Sequence, residues 1–113
     1  MIDRYAFGKI VIDGQTYTRD VILTPDGVWE GWWRERGHCL SPADLEKAFG
    51  ANPGVLIVGT GAIGRMQVPV ETRQEIEQRG IELHVLPTGK AWALYNELES
   101  GGRRVIAALH LAC

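Results

Sequence analysis

A chain of 113 residues, 45% hydrophobic and 23% charged, has the composition of one ordinary globule and is too short to divide into two cores that each offset chain entropy, so 1–113 reads as a single domain. Twelve Lys and Arg against fourteen Asp and Glu leave a net charge of -2, which excludes an overall basic field that would draw in nucleic acid or anionic lipid. No apolar run approaches the roughly 20 residues that span a bilayer, and the start MIDRYAFGKI lacks the apolar core of a signal peptide; the sequence predicts no membrane insertion and a cytoplasmic location.

In chain order, residues 7–12 and 15–23 are β-rich runs joined at Asp13-Gly14, the pair a tight hairpin prefers because its central positions need positive φ. Thr24-Pro25-Asp26-Gly27 forms a second turn, with proline presetting φ, and residues 28–34 return as a third strand. The prediction is an antiparallel meander. Trp29, Trp32 and Trp33 cannot share one face at period two, so Gly31 is expected to mark a bulge and the tryptophans to cover one side of the neighbouring sheet. Ser41-Pro42 opens a short helix with Asp44 in its first turn and Leu45, Ala48 and Phe49 as its inward stripe. Gly50 and Asn52-Pro53-Gly54 end it, closing a first part at residues 1–54. Cys39 and Cys113 lack a paired spacing and read as reduced thiols.

The second part, 55–113, begins with VLIVGTGAIG, four consecutive apolar residues running into three glycines. Such a run bounded by turn residues fits a strand covered on both faces, as in a parallel sheet. A helix over 69–79, a strand over 81–86, a helix over 90–99 and a strand over 103–109 complete a β-α-β-α-β unit. In the second helix Ala91, Leu94, Tyr95 and Leu98 recur at i, i+3, i+4 and i+7 and form the buried stripe.

Gly59, Gly61 and Gly64 have the spacing of a dinucleotide fingerprint, yet that motif needs its helix to start within it, and Pro69 postpones the helix. The end of the next strand also offers no acidic residue for a ribose, so no cofactor is predicted. Loops leaving successive parallel strands lie on one edge, which points to a crevice at the carboxyl ends with helix N-termini that favour an anion. Its candidate residues are Gly59, Thr60, Gly61, Arg65, Thr88 as N-cap of the second helix, Lys90 and Asn96. Two other patterns are weaker. His38-Cys39 are adjacent and point to opposite sides of an extended chain, and Glu82, His84 and His110 form a metal set only under a particular strand order; the plainer reading is an edge strand with one wet face.

VLIVGTG at 55–61, the proline-started helix, RGIELHVLPT at 79–88 and ALYNELESGGRRVIAAL at 93–109 together resemble the small domain-of-unknown-function family that includes the third assembly factor of mitochondrial respiratory complex I and the adipogenesis-associated single-domain protein. The chain departs from that family's tendencies at Gly89-Lys90 and at His110 in an otherwise apolar last strand. The resemblance implies an α/β fold of three layers, β/β/α, in which the meander lies on a mainly parallel sheet with helices on its other face. It implies no established reaction. The expected function is therefore a binding or assembly-factor-like module with a protein partner, with no catalytic site and a capacity to self-associate; the alternative is a small enzyme or carrier taking a nucleotide or phosphorylated ligand at the 59–64 loop.

Overall fold

Residues 1–112 are described by a computed structural model. The chain runs β1 (Ile2–Ala6), β2 (Lys9–Ile12), β3 (Gln15–Tyr17), β4 (Val21–Thr24), β5 (Gly27–Glu30), a 3-10 turn (Pro42–Leu45), α1 (Glu46–Gly50), β6 (Val55–Thr60), α2 (Val70–Gln78), β7 (Glu82–Leu86), α3 (Thr88–Ser100) and β8 (Val105–His110). A three-stranded antiparallel sheet, β1-β2-β3, accompanies a five-stranded mixed sheet in the order β5-β4-β8-β6-β7. Strands β7, β6 and β8 are parallel, as the apolar run of β6 implies: all six of its residues are buried. The fold is α/β and three-layered.

The β2–β3 hairpin forms as expected, with Asp13 at φ 49° and Gly14 at φ 81°, and the Gly14 N–H donating to Asp3 Oδ2 at 2.7 Å. The expected strand at 7–12 begins only at Lys9, because Phe7 and Gly8 (φ 73°) turn the chain back from β1, a strand that the sequence did not predict. The run at 15–23, read as one strand, divides in two. Of its first three residues, Gln15 and Thr16 stay exposed and Tyr17 half-buried in β3, while Val21–Thr24 are all buried and need cover on both faces, which the larger sheet supplies. Strand β4 therefore crosses over and pairs antiparallel with β8, Val21 opposite Leu109 and Leu23 opposite Ala107. Strand β5 ends at Glu30, short of the expected Arg34, because Gly31 (φ 81°) and Trp32 both donate their N–H to the Asp20 carbonyl at 2.9 Å, the double donation of a bulge.

Topology decides where the helices sit. The chain moves outward from β6 to β7 and then back past β6 to β8, so two crossovers of the same hand must place their helices on opposite faces. Val55, Ile57, Val105, Ala107 and Leu109 accordingly pack against α3 and the three-stranded sheet. Leu56, Val58, Ile106 and Ala108 pack against Leu45, Ala48 and Ile76 of the 3-10 turn, α1 and α2. Each fully buried Val, Leu or Ile side chain among these contributes about 1.5–3 kcal/mol. Helices α1 and α2 thus lie on the face away from the small sheet, as expected, whereas α3, expected beside them, shares the small sheet's face.

Asn96 joins α3 to that small sheet. Its Oδ1 accepts the Ile2 N–H at 2.9 Å and its Nδ2 donates to the Ile2 carbonyl at 2.7 Å, so the amide takes the place of a neighbouring strand for β1. The side chain is spent there, away from the crevice in which it was expected. Asn96→Ala is expected to cost about 1–3 kcal/mol by leaving the Ile2 amide groups unpaired. Amide hydrogen exchange checks this: β1 should lose protection well before β8, and equal protection in both strands refutes the clip.

Candidate functional site

The exits of β6 and β7 lie side by side, and one hydroxyl joins them. Thr88 is fully buried; its Oγ1 accepts the Gly61 N–H at 2.9 Å and donates to the His110 carbonyl at 2.6 Å, and its own N–H donates to the Gly61 carbonyl at 3.0 Å. The expected N-cap role falls instead to Pro87, whose φ of -55° and ψ of 146° are non-helical, because the Thr88 hydroxyl has better partners in two neighbouring strands than in its own helix. Gly59 is required by the same junction. A Cβ there would stand 2.8 Å from both Thr88 Oγ1 and Leu109 Cδ2. The Thr60 hydroxyl donates to the Leu86 carbonyl at 3.1 Å, and the Thr60 carbonyl accepts the Met66 N–H.

Four of the expected residues, Gly59, Thr60, Gly61 and Thr88, therefore converge on one rim with these polar groups engaged in the fold. Arg65 and Lys90 are exposed and stand outside the crevice that does open there. That crevice, about 430 Å³, lies between Thr60, Gly64, Gln67, Leu86 and Pro87, and the cation bordering it is Arg73, whose Nε donates to the Val68 carbonyl at 3.1 Å. Arg73 sits in the first turn of α2 and was visible in the sequence as the arginine one turn after Pro69. Helix α2 starts at Val70, nine residues beyond Gly61, so the glycine loop does not feed a helix N-terminus as a dinucleotide fingerprint requires.

Beyond the crevice, on the same rim, three residues far apart in sequence form a polar cluster. Asp20 Oδ2 lies 2.8 Å from His110 Nδ1 and 2.9 Å from Arg34 Nη2, while Asp20 Oδ1 accepts the Leu111 N–H at 2.8 Å. An ionised carboxylate can only accept, so the bond to Asp20 is made with the proton on His110 Nδ1; Arg34 Nη2 stands 3.1 Å from the same nitrogen, a bond it donates only in the other tautomer. Arg34 also lies over the Trp32 ring, 4.6 Å from its centroid. Burial pushes the Asp20 carboxyl up, but the hydrogen bonds from His110 and Leu111, with the charges of His110 and Arg34, outweigh it and hold the group below the ordinary carboxylate value. His110 Nε2 and Arg34 Nη1 are buried without a hydrogen-bond partner among the described residues. The His38 ring stands edge-on to His110 at 6.1 Å, and Cys39 is a half-buried free thiol; Cys113 lies outside the described residues. No spacing rule joins positions 20, 34 and 110. The one sequence signal was His110, a histidine in an apolar strand.

His110 follows Ile106 and Ala108 onto one face of the central sheet, whereas His84 is in register with Ile57 on the other. The Glu82, His84 and His110 set therefore does not converge. Glu82 instead holds His84 at 2.6 Å and Arg103 at 2.9 Å, and those contacts keep its carboxyl below its ordinary value, the Arg103 bond first and the His84 bond second.

The tryptophans divide. Trp32 is buried with its Nε1 donating to the Asp44 carbonyl at 2.8 Å, but Trp29 and Trp33 are 51% and 75% exposed, against the expectation that all three cover a sheet. The bulge at Gly31 turns the strand so that the two outer rings face a groove of about 550 Å³ toward the 3-10 turn and α1.

The fold is a known one: the chain is similar to a Bordetella pertussis protein described as a Mth938-like domain, with a TM-score of 0.80 at 24% identity, covering 98% of this chain and 85% of that one. The chain belongs to the family of proteins of unknown function DUF498/DUF598, which it matches over residues 2–110. It is similar to the conserved hypothetical protein PH1505 from Pyrococcus horikoshii OT3 at 30% identity and a TM-score of 0.88, covering 100% of this chain and 99% of that chain. It is also similar to the Rpa2829 protein from Rhodopseudomonas palustris at 30% identity and a TM-score of 0.81, covering 100% of this chain and 83% of that one. No helix among the described residues is long and apolar enough to cross a membrane.

Proposed function

We propose that this chain is a non-catalytic binding module of the assembly-factor kind, holding a protein partner on its surface. The observation that carries this reading is the engagement of the rim: the Thr60 and Thr88 hydroxyls and the Gly61 N–H, the groups best placed to receive a small anionic substrate, donate and accept within the fold. The family resemblance, which includes the third assembly factor of respiratory complex I, agrees with a scaffold role, and the two exposed tryptophans supply surface of the kind that partners cover.

A second reading rests on Arg73 at the crevice, which gives a small enzyme or carrier a cation for a phosphorylated ligand. A thermal-shift panel of nucleotides, phosphates and carboxylates separates the two. A true ligand at a hundred times its Kd adds about 2.7 kcal/mol, a shift of roughly 10 °C or more for a domain this size. The binding-module reading expects no such shift, with a defined protein retained on the immobilised chain. Stabilisation by one compound, lost in Arg73→Ala and retained in Lys90→Ala, overturns it.

A further inference from the structure

The groove between β5 and α1 combines two properties. Its walls are aromatic, with Trp29 and Trp33 more than half exposed, and its rim carries four carboxylates, Glu30, Glu35, Asp44 and Glu46. Asp44 is occupied, accepting the N–H groups of Glu35 and Ser41 and the Ser41 hydroxyl. Glu30, Glu35 and Glu46 form no ion pair among the described residues. The cations at the margin are Lys47 and Arg19, which passes beside Gly31. Lys47 does not neutralise the carboxylates directly, because its Nζ sits 3.5 Å from the centroid of the Trp29 ring. The groove thus already holds one cation against an indole face, while three carboxylates gathered around it are in no ion pair among the described residues. In a chain with a net charge of only -2 this is a local concentration of negative charge.

We infer that this groove docks an extended segment of a partner protein bearing arginine or lysine side chains. This rests on the binding-module reading and names the chemistry of the partner. Guanidinium or ammonium groups are what an exposed indole face and unpaired carboxylates recognise together, the first by cation–π attraction and the second by charge. An extended segment fits because β5 is an edge strand, laddered to β4 on one side only, and its open edge runs into the groove at Glu30 and Gly31.

The test is titration of the full chain with a decapeptide of alternating arginine and serine and with its glutamate-for-arginine counterpart, followed by the indole N–H signals of the four tryptophans in NMR spectra. The arginine peptide is expected to shift Trp29 and Trp33 while the acidic peptide shifts neither, and Trp33→Ala or Glu46→Gln should weaken binding by about tenfold. Glu97→Gln, on the exposed side of α3, should leave it unchanged. Added salt should weaken binding through the charge component. Equal binding of both peptides, shifts that map outside the groove, insensitivity to Trp33→Ala and Glu46→Gln, or sedimentation showing that a second copy of this chain fills the groove each overturn the inference. Failure here with a silent small-molecule panel removes the basic-segment assignment alone; a compound that stabilises through Arg73 removes the reading beneath it.

Discussion

Asp20→Ala is expected to cost about 3–5 kcal/mol, because it strands a buried guanidinium. The Arg34 side chain is only 6% exposed, stacked on Trp32 and paired to Asp20 at 2.9 Å; without the carboxylate its charge stays in place with no opposite charge beside it. The same change removes the partner of His110 Nδ1 and the acceptor of the Leu111 N–H. Against a typical domain stability of about 5–15 kcal/mol, the variant should lie close to unfolding, so urea titration at neutral pH is the measurement. Asp20→Asn, which keeps an acceptor for Leu111 and loses the charge, should cost less. The pH dependence has a definite sign. The folded carboxyl titrates below its unfolded value, so its contribution is fully present above about pH 4 and is lost as pH falls through the folded value. Wild-type melts should therefore fall more steeply below pH 4 than those of Asp20→Asn, and parallel curves would show that the cluster is not an electrostatic anchor.

The parts of the fold that were legible in the sequence are those settled locally. VLIV at the start of β6 has no polar side to offer water, so it had to be a doubly covered strand; Pro69 placed the start of α2 to within a residue, and Asp13-Gly14 placed the β2–β3 hairpin. What was not legible depends on which distant surface is available. The run from Gln15 to Leu23 has one β pattern, and its division into two sheets follows from the cover that β8 offers to Val21–Thr24. Periodicity gave each helix an apolar stripe, yet the faces taken by α2 and α3 follow from the reversal of strand order after β7.

The same distinction governs the site. The shared rim followed from parallel topology alone, and Gly61 and Thr88 do meet there. Thr88 looked like an N-cap because capping is the only hydrogen bond a local reading can offer a threonine at a helix start; its actual partners are 27 and 22 residues away. Asn96, one position past a buried tyrosine, is likewise engaged by a strand at the opposite end of the chain. Asp20, Arg34 and His110 carry no spacing signal because three chain segments bring them together. For the tryptophans, alternation can say which residues share a face but not whether anything covers that face.

Thr88→Val is expected to lower stability by about 2–5 kcal/mol although it preserves side-chain volume, since it leaves the Gly61 N–H and the His110 carbonyl buried without the hydroxyl that pairs both. For a domain of this length that is a fall in Tm on the order of 10–20 °C. Thr88→Ser keeps the hydroxyl and loses one methyl, so it should cost only about 1 kcal/mol. If the serine and valine variants are equally damaged, packing rather than hydrogen bonding holds the rim. Gly59→Ala probes the same junction from the strand side: its Cβ would meet Thr88 Oγ1 and Leu109 Cδ2 at 2.8 Å, an overpacking expected to cost about 1–3 kcal/mol. The two positions should not add. Once Thr88 is alanine, one of the two collisions is gone, so Gly59→Ala should cost less in that background by on the order of 1 kcal/mol. That coupling follows from the rim closing on itself through one side chain, and strictly additive losses would mean that the strand and the helix start yield independently.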